Sequence, residues 1–266
     1  GANNTAALAF GGYNTSVGTA LANTENWNGT SWFEVNDLNT AKYNAGGVGT
    51  NTAALSFGGS PQVVLTESWN GSLWTETNDM NTGRGELAGA GTNTSSLAFG
   101  GESTANTAAT EEWNADFAYG VWATGGDLNT PRIHLRGTGT QTSSLAFGGE
   151  GAPPGGVPVG NTEFYNGTAW GEVNDLNTAR YSPGSAGVDN TSALAFGGNG
   201  SITAVTESWN GTSWTEVADL NTARGDLGST GTQTSALGFG GVVSAPGREV
   251  TNNESWNGSA WTEVAD

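Results

Sequence analysis

A short hydrophobic block recurs along the chain at nearly even intervals. Each copy reads Leu-x-Phe followed by Gly-Gly, and its phenylalanine stands at positions 10, 57, 99, 147, 196 and 239. Successive copies are therefore 42 to 49 residues apart. In the segment 53–57, AALSF, Leu55 and Phe57 are separated by the two-residue period of a strand and share one face. The block predicts one core strand in each of six repeats.

Each repeat contains four segments with strand character, named a to d in chain order. Strands a, b, c and d are exemplified by 85–91, 53–57, 66–69 and 74–77. Between c and d, the dipeptide Asn70-Gly71 favours a type I′ turn and hence a hairpin. Four antiparallel strands repeated six times predict an all-β, six-bladed β-propeller. We expect residues 1–266 to form this one domain.

The first repeat departs from the others at its start. Residues 1–4, GANN, match only the end of strand a, and the chain stops at Asp266, where other repeats continue with Leu-Asn-Thr. We therefore expect the first blade to lack most of its inner strand. Because proteins usually avoid open strand edges, we also expect the natural polypeptide to continue beyond one or both ends.

All 11 tryptophans fall into two repeat columns. The column that ends strand c comprises Trp27, Trp69, Trp113, Trp209 and Trp256, with Tyr165 in the remaining blade. The column that opens strand d comprises Trp32, Trp74, Trp122, Trp170, Trp214 and Trp261. Large aromatic side chains at repeat-invariant strand positions most simply fill the wedges between blades. We expect core packing, and not sugar stacking, from these residues.

The order of these landmarks resembles the kelch repeat. A Lys or Arg precedes strand a, Gly-Gly follows b, an aromatic residue ends c, and a Trp opens d. The resemblance covers nearly the whole chain, although strand a is unusually rich in glycine here. The segment 207–224, ESWNGTSWTEVADLNTAR, also resembles kelch-like structural proteins of marine bacteriophages. This second resemblance implies an extracellular or virion location, in a fibre or decoration protein.

Charge and composition narrow the range of partners. The formal net charge is −18, with 25 acidic and 7 basic residues, so the surface repels phosphate backbones and anionic membranes. There are no cysteines, which excludes disulfides, thiolate metal sites and cysteine nucleophiles. No apolar run approaches the roughly 18 residues of a membrane span. We therefore expect neither nucleic-acid binding nor membrane insertion.

Most charged residues recur at fixed repeat positions. Basic residues do so at Lys42, Arg84, Arg132, Arg180 and Arg224. One carboxylate column contains Glu25, Glu67, Glu111, Glu163, Glu207 and Glu254; another contains Asp37, Asp79, Asp127, Asp175, Asp219 and Asp266. Since a catalytic pair is needed once and not in every blade, we expect these groups to accept hydrogen bonds and fix turns. Asx-turns are the expected role of the Asp column.

The residue inventory argues against an enzyme. His134 is the only histidine, so a three-histidine zinc site cannot form, and no Gly-x-Ser-x-Gly elbow is present. We predict no catalytic residues, cofactor or metal site. One enzymatic alternative stays open, a carboxylate-based glycan hydrolase or lyase, for which Glu102 and Glu150 are the candidate pair.

Residues that break the repeat mark the candidate ligand site, because a rigid scaffold needs only the repeated ones. The b–c loops all differ; they span 13–23, 60–65, 102–109, 150–161, 199–205 and 242–250. From these loops we select Tyr13, Glu102 and Glu150. We add His134 and Arg136, which we expect on one face of an inner strand lining the channel. The loop 113–122, with Asp116, Phe117 and Tyr119, should lie on the opposite face.

Together these observations predict a non-enzymatic binding or structural module. Its partner would be a protein within a larger assembly or a host-surface glycan, met through the b–c loop face. A free carbohydrate-binding lectin is the alternative within the same class, and a homo-oligomer is an open arrangement. The Asn-Gly-Thr/Ser tripeptides match glycosylation sequons but coincide with the c–d turns, which explains them without a sugar.

Overall fold

The computed structural model describes residues 4–115, 120–151, 156–243 and 248–265, and every regular element in these ranges is a β-strand. The strands form six antiparallel blades in chain order. Blade 1 has three strands, whereas blades 2 to 6 have four each. The predicted six-bladed propeller is confirmed, and so is the incomplete first blade. The predicted loop residues Asp116, Phe117 and Tyr119 lie outside the described ranges.

The blades follow the predicted order of strands. Blade 1 contains β1 (Ala7–Phe10), β4 (Thr24–Trp27) and β5 (Trp32–Glu34), with a small b–c hairpin of β2 (Tyr13–Asn14) and β3 (Thr19–Ala20). Blade 2 contains β6 (Gly46–Thr50), β7 (Ala53–Phe57), β8 (Thr66–Trp69) and β9 (Trp74–Glu76). Blade 3 contains β10 (Ala88–Gly91), β11 (Ser95–Phe99), β12 (Thr110–Asn114) and β13 (Val121–Thr124).

Blades 4 to 6 repeat the same pattern. Blade 4 contains β15 (Arg136–Thr140), β16 (Ser143–Phe147), β18 (Thr162–Tyr165) and β19 (Trp170–Val173), and the short strands β14 (Arg132–Ile133) and β17 (Glu150–Gly151) pair above it. Blade 5 contains β20 (Gly184–Asp189), β21 (Ser192–Phe196), β22 (Thr206–Trp209) and β23 (Trp214–Glu216). Blade 6 contains β24 (Gly228–Thr232), β25 (Ser235–Phe239), β26 (Asn253–Trp256) and β27 (Trp261–Val264).

Two aromatic columns hold neighbouring blades together. The strand c tryptophans are 1–2% exposed, and Tyr165 is fully buried. Each strand d tryptophan packs against the phenylalanine of the preceding blade, as Trp74 does on Phe10 with ring centroids 4.9 Å apart. Its indole N–H also reaches back one blade, where Trp74 donates to the Thr24 hydroxyl at 3.1 Å. The predicted packing role of the tryptophans is confirmed.

A buried polar clasp joins each d–a connection to the blade that follows it. In blade 5 the carboxylate of Glu207 accepts the backbone and side-chain N–H groups of Asn177 and the guanidinium of Arg180. Glu207 and Arg180 are at most 1% exposed, so each charge depends on the other for compensation. The equivalent glutamates in blades 2, 3, 4 and 6 are Glu67, Glu111, Glu163 and Glu254. The expected structural role of this column is confirmed for these five glutamates, whereas Glu25 of blade 1 is exposed.

Two local expectations about turns were wrong. The c–d loops do not form type I′ turns, because only the glycine has positive φ, as in Gly71 at 93°. Instead the Asn70 side chain caps the loop, since its Oδ1 accepts the backbone N–H groups of Ser72 and Leu73, each at 2.9 Å. Within the described residues, the Asp column forms no Asx-turn with its own neighbours. Asp79 instead accepts the backbone N–H of Thr66 across the blade, at 3.1 Å.

The ring closes by side-chain packing between blades 6 and 1. Trp32 of blade 1 packs on Phe239 of blade 6, with ring centroids 4.9 Å apart. Asn4 bridges the two blades, since its amide donates to Ser255 and its oxygen accepts from Ser235. The last and first repeats therefore meet in the same orientation as the other neighbours, although blade 1 has no inner strand beside β1 among the described residues.

The clasp of blade 2 yields a stability prediction, because a lysine replaces arginine there. Lys42 lies 3.5 Å from Glu67 but makes no hydrogen bond, and burial lowers the pKa of its ammonium group. Arg180 at the same position also donates to the carbonyls of Val205 and Ala195. We expect Lys42→Arg to raise the free energy of unfolding by about 1 kcal/mol, measured by urea denaturation at pH 7.

The reciprocal variant, Arg180→Lys, is the matched control for this substitution. It should lower the free energy of unfolding by at least as much, because it removes two hydrogen bonds to carbonyls in an otherwise identical clasp. Equal stability of both variants and the wild type would show that the extra guanidinium contacts contribute nothing.

Candidate functional site

Two sets of connections converge on one face of the propeller. In each of blades 2 to 6, the residue that follows Gly-Gly pairs with the residue that follows the clasp Lys or Arg. Examples are Ser60 with Tyr43 and Glu102 with Gly85. Glu150 pairs in the same way with Ile133. The start of each of these five b–c loops is thereby held beside the entrance to the central channel.

Five residues around this entrance share an uncommon backbone conformation. They occupy one repeat position, two residues after the clasp Lys or Arg, and their φ angles lie between 47° and 59°. They are Asn44, Glu86, His134, Ser182 and Asp226. Left-handed conformations of residues other than glycine are uncommon and cluster at functional sites. We call these five residues the mouth ring.

Backbone hydrogen bonds connect successive members of the mouth ring. Glu86 N–H donates to the carbonyl of Asn44 at 2.9 Å, and His134 N–H donates to that of Glu86 at 3.1 Å. Ser182 N–H donates to His134 O at 2.8 Å. The strained conformation is therefore held by the neighbouring blades. All five side chains are polar, yet all five differ, so the scaffold requires the backbone geometry and not a particular side chain.

The mouth ring surrounds a cavity of about 560 Å³ that continues into the central channel. Its walls are mainly the glycine-rich starts of the inner strands, and its polar lining includes the whole ring together with Arg136 and Ser185. This volume is in the range of small-ligand sites.

Two of the predicted site residues, His134 and Glu150, meet here beside the ring residue Glu86. His134 Nε2 lies 3.6 Å from Glu86 Oε2, and His134 Nδ1 lies 4.0 Å from Glu150 Oε1. The imidazole also packs beside Tyr181, with ring centroids 5.7 Å apart. The Nδ1 atom is buried and has no hydrogen-bond partner among the described residues.

The expectation that His134 and Arg136 share one strand face was wrong. Strand β15 begins at Arg136, and His134 precedes it in the left-handed conformation. The ring geometry directs the chain at residue 134 away from strand pairing, while Arg136 pairs opposite Phe147. The two residues still line one cavity.

Arg136 stands where other blades carry almost no side chain. The equivalent residues are Gly46, Ala88, Gly184 and Gly228. Within the described residues no carboxylate lies within ion-pair distance of its guanidinium, which donates one hydrogen bond, to the carbonyl of Leu135 at 3.4 Å. Most N–H groups of the Arg136 guanidinium therefore face the cavity without a hydrogen-bond partner among the described residues.

The carboxylates of the mouth stand close to one another and beside the imidazole of His134. Desolvation, with repulsion from Glu102 and Glu150, raises the pKa of Glu86. Desolvation and Asp226 raise the pKa of Glu150. Desolvation and the neighbouring Arg136 lower the pKa of His134. The mouth therefore offers carboxylates, an imidazole and a guanidinium side by side, which can accept from and donate to one polar ligand.

Tyr13 lies on the blade 1 side of the same face. It is 44% exposed and packs against Tyr43, a cavity-lining residue, with ring centroids 4.8 Å apart. Glu102 reaches the site through its repulsion of Glu86. All five predicted residues therefore belong to one face. Tyr13, Glu102 and Glu150 even share one repeat position, immediately after Gly-Gly.

Sequence reasoning missed four of the five ring members, namely Asn44, Glu86, Ser182 and Asp226. A signal was present, because the residue two positions after each clasp Lys or Arg changes in every repeat, while the Asn-Thr before the clasp residue stays constant. That column lies in the d–a connections, whereas the candidate residues were selected mainly from the b–c loops.

No protein-family model matches the sequence, and no curated protein resembles it significantly. Within the described ranges, no three His, Asp or Glu side chains are grouped so that they could hold a metal ion. In those same ranges no helix is long and apolar enough to cross a bilayer.

The electrostatics of the mouth predict that Glu86→Gln stabilises the protein. Because the pKa of Glu86 is raised in the folded protein, folding disfavours its charged form. The resulting loss of stability is complete above the folded-state pKa and absent below the ordinary value near 4.5. At pH 7 we expect a gain of about 0.5 kcal/mol, the scale of a single charge interaction near a surface. This gain should vanish as the pH falls toward 4.5. Urea denaturation at a series of pH values from 4 to 8 would measure it.

Glu216→Gln serves as the control for this series, because Glu216 is an exposed carboxylate on an outer strand. It changes the same charge far from the mouth and should leave the pH dependence as in the wild type. A Glu86→Gln variant that is less stable than wild type at pH 7 contradicts the assigned repulsion.

Proposed function

We propose that this protein is a non-enzymatic binding module whose channel mouth holds a polar, hydroxyl-rich ligand, namely a surface glycan. The observation that carries the proposal is the variation of three repeat columns around one cavity. These columns are the mouth ring, the residue after Gly-Gly, and the first residue of strand a. Elsewhere the repeats keep their core and clasp residues, so the scaffold alone does not account for the diversity at the mouth.

The chemistry of the mouth favours a neutral or weakly charged polyol. Sugar hydroxyls donate to carboxylates such as Glu86 and accept from a guanidinium such as Arg136, so one ligand can satisfy both kinds of group. The net charge of −18 disfavours nucleic acid. Tyr13 and Tyr43 add an aromatic surface at the rim. A protein partner in a larger assembly is the other candidate, but the concave mouth fits a small polar group better.

We further propose an extracellular setting, on a virion or a cell surface. The support is the resemblance of the repeat to the kelch repeat and to kelch-like structural proteins of marine bacteriophages. Such a protein would act as part of an assembly and contact its host through the b–c loop face.

Replacing a mouth residue by its counterpart from another blade tests the proposal without disturbing the scaffold. Arg136→Gly introduces the residue found at this position in blades 2, 5 and 6. We expect glycans selected on an array to lose affinity by roughly 10- to 100-fold, the effect of one hydrogen-bonded charge. Calorimetric titration would measure the change, and thermal unfolding would verify that the fold is kept.

Arg248→Gly is the matched control, since it removes the same charge from an exposed residue that does not line the mouth cavity. It should bind as the wild type does. Binding that is equally strong in Arg136→Gly, or a wild-type protein that retains no glycan on the array, would refute the mouth as a glycan site.

One observation favours a second candidate function, a carboxylate-based glycan hydrolase or lyase. The pKa values of Glu86 and Glu150 are both raised, which is the condition a general acid requires. Our proposal predicts that neither the wild type nor Glu150→Gln releases new reducing or unsaturated ends from the glycans that bind. Turnover by the wild type that disappears in Glu150→Gln would instead establish the enzyme.

A further inference from the structure

Blade 1 leaves a gap that the other blades do not have. One edge of β1 pairs with β4, and its other edge pairs with no strand among the described residues. The cavity extends along this edge, between Gly46–Thr50 of blade 2 and Leu227–Ser229 of blade 6. We call this gap the blade 1 slot.

Apolar side chains bordering the slot are less buried than their counterparts. Leu8 and Phe10 of β1 are partly exposed, whereas Leu55 and Phe57 at the same positions of blade 2 are fully buried. Phe239, which borders the slot from blade 6, is also partly exposed. Trp32 is partly exposed as well, while the other five strand d tryptophans are 5–7% exposed.

An unpaired carboxylate stands at one end of the slot. Glu25 occupies the clasp position of blade 1, but it is exposed and makes no ion pair among the described residues. Its five counterparts are at most 4% exposed, and each accepts from an Asn-Thr-x-Lys/Arg segment. Glu25 is thus the hydrogen-bond acceptor of a clasp whose Asn-Thr-x-Lys/Arg donors are absent from the described residues.

The five complete blades specify what fits such a slot. A leucine or methionine packs on the strand d tryptophan, Asn-Thr-x-Arg binds the glutamate, and a strand a segment pairs with strand b. Where that strand passes the phenylalanine of the preceding blade, only Gly or Ser occurs. A Cβ on Gly47 would lie 2.6 Å from the ring of Phe10, too close for a larger side chain.

We propose that the blade 1 slot is a peptide-binding site for an additional copy of the repeat's own d–a connection and inner strand. The ligand is a segment of the form Leu-Asn-Thr-x-Arg, three variable residues, and then two small residues. It would pair with β1 by strand addition, as peptides do on exposed sheet edges. A second folded copy of this propeller does not supply it, because its inner strands β6, β10, β15, β20 and β24 are already bound in their own blades.

A synthetic peptide with the sequence of residues 220–229, LNTARGDLGS, is the probe. Binding of the fluorescently labelled peptide to the complete 266-residue protein is followed by anisotropy. We expect saturable binding with one peptide per protein and a rise in the unfolding temperature. Failure to bind at millimolar peptide, or binding without saturation, would overturn the proposal.

Two substitutions locate the peptide within the slot. Glu25→Gln in the protein should weaken binding at least tenfold, and because Glu25 is exposed this variant keeps the fold. The peptide with alanine in place of Arg224 should lose a similar factor against the wild type and little against Glu25→Gln, since both changes remove the same contact. The control variant Glu216→Gln should bind as the wild type does.

A peptide with leucine in place of Ser229 tests the apolar end, because its side chain would collide with Phe239. It should bind at least tenfold more weakly. If neither this change nor Glu25→Gln weakens binding, the peptide binds elsewhere on the surface, and the proposed slot site is refuted. The outcome is independent of the glycan experiment, since the peptide assay does not use Arg136 and the array does not use Glu25.

Discussion

The buried glutamate of strand c is the interaction on which the propeller depends. In blades 2 to 6 it accepts the backbone and amide N–H groups of the preceding connection and pairs with the Lys or Arg that follows. It thereby holds the end of one blade, the start of the next inner strand and strand c in one place. Removing either charge would leave the other buried without compensation, which costs several kcal/mol.

The same clasp positions the candidate site. Two residues after each clasp Lys or Arg the chain enters the left-handed conformation, and the ring of backbone hydrogen bonds links Asn44, Glu86, His134 and Ser182. Because the backbone is held from the neighbouring blades, its side chains are free to differ. A constant frame with variable side chains is the arrangement expected where a fold carries recognition. The blade 1 slot follows from the one glutamate, Glu25, that lacks its clasp.

Much of the fold was predictable because six copies repeat the same local rules. The Leu-x-Phe period predicted strand b, and the tryptophan columns predicted the contacts between blades. Turn geometry was less predictable, since Asn70-Gly71 favours a type I′ turn, whereas only Gly71 has a positive φ and the Asn70 side chain caps the loop. Likewise Asp79 bonds across the blade to Thr66, a partner 13 positions earlier in the chain that strand pairing brings near.

The sequence by itself determined the number of blades, their strand order, the incomplete first blade and the residues that depart from the repeat. It could place Tyr13, Glu102 and Glu150 on one face, because the b–c loops emerge together. Only the tertiary structure decided that Glu86 and Asp226 belong to the same mouth as His134 and Arg136. These residues come from different blades, and their proximity arises from closure of the ring, which no local pattern in the chain encodes.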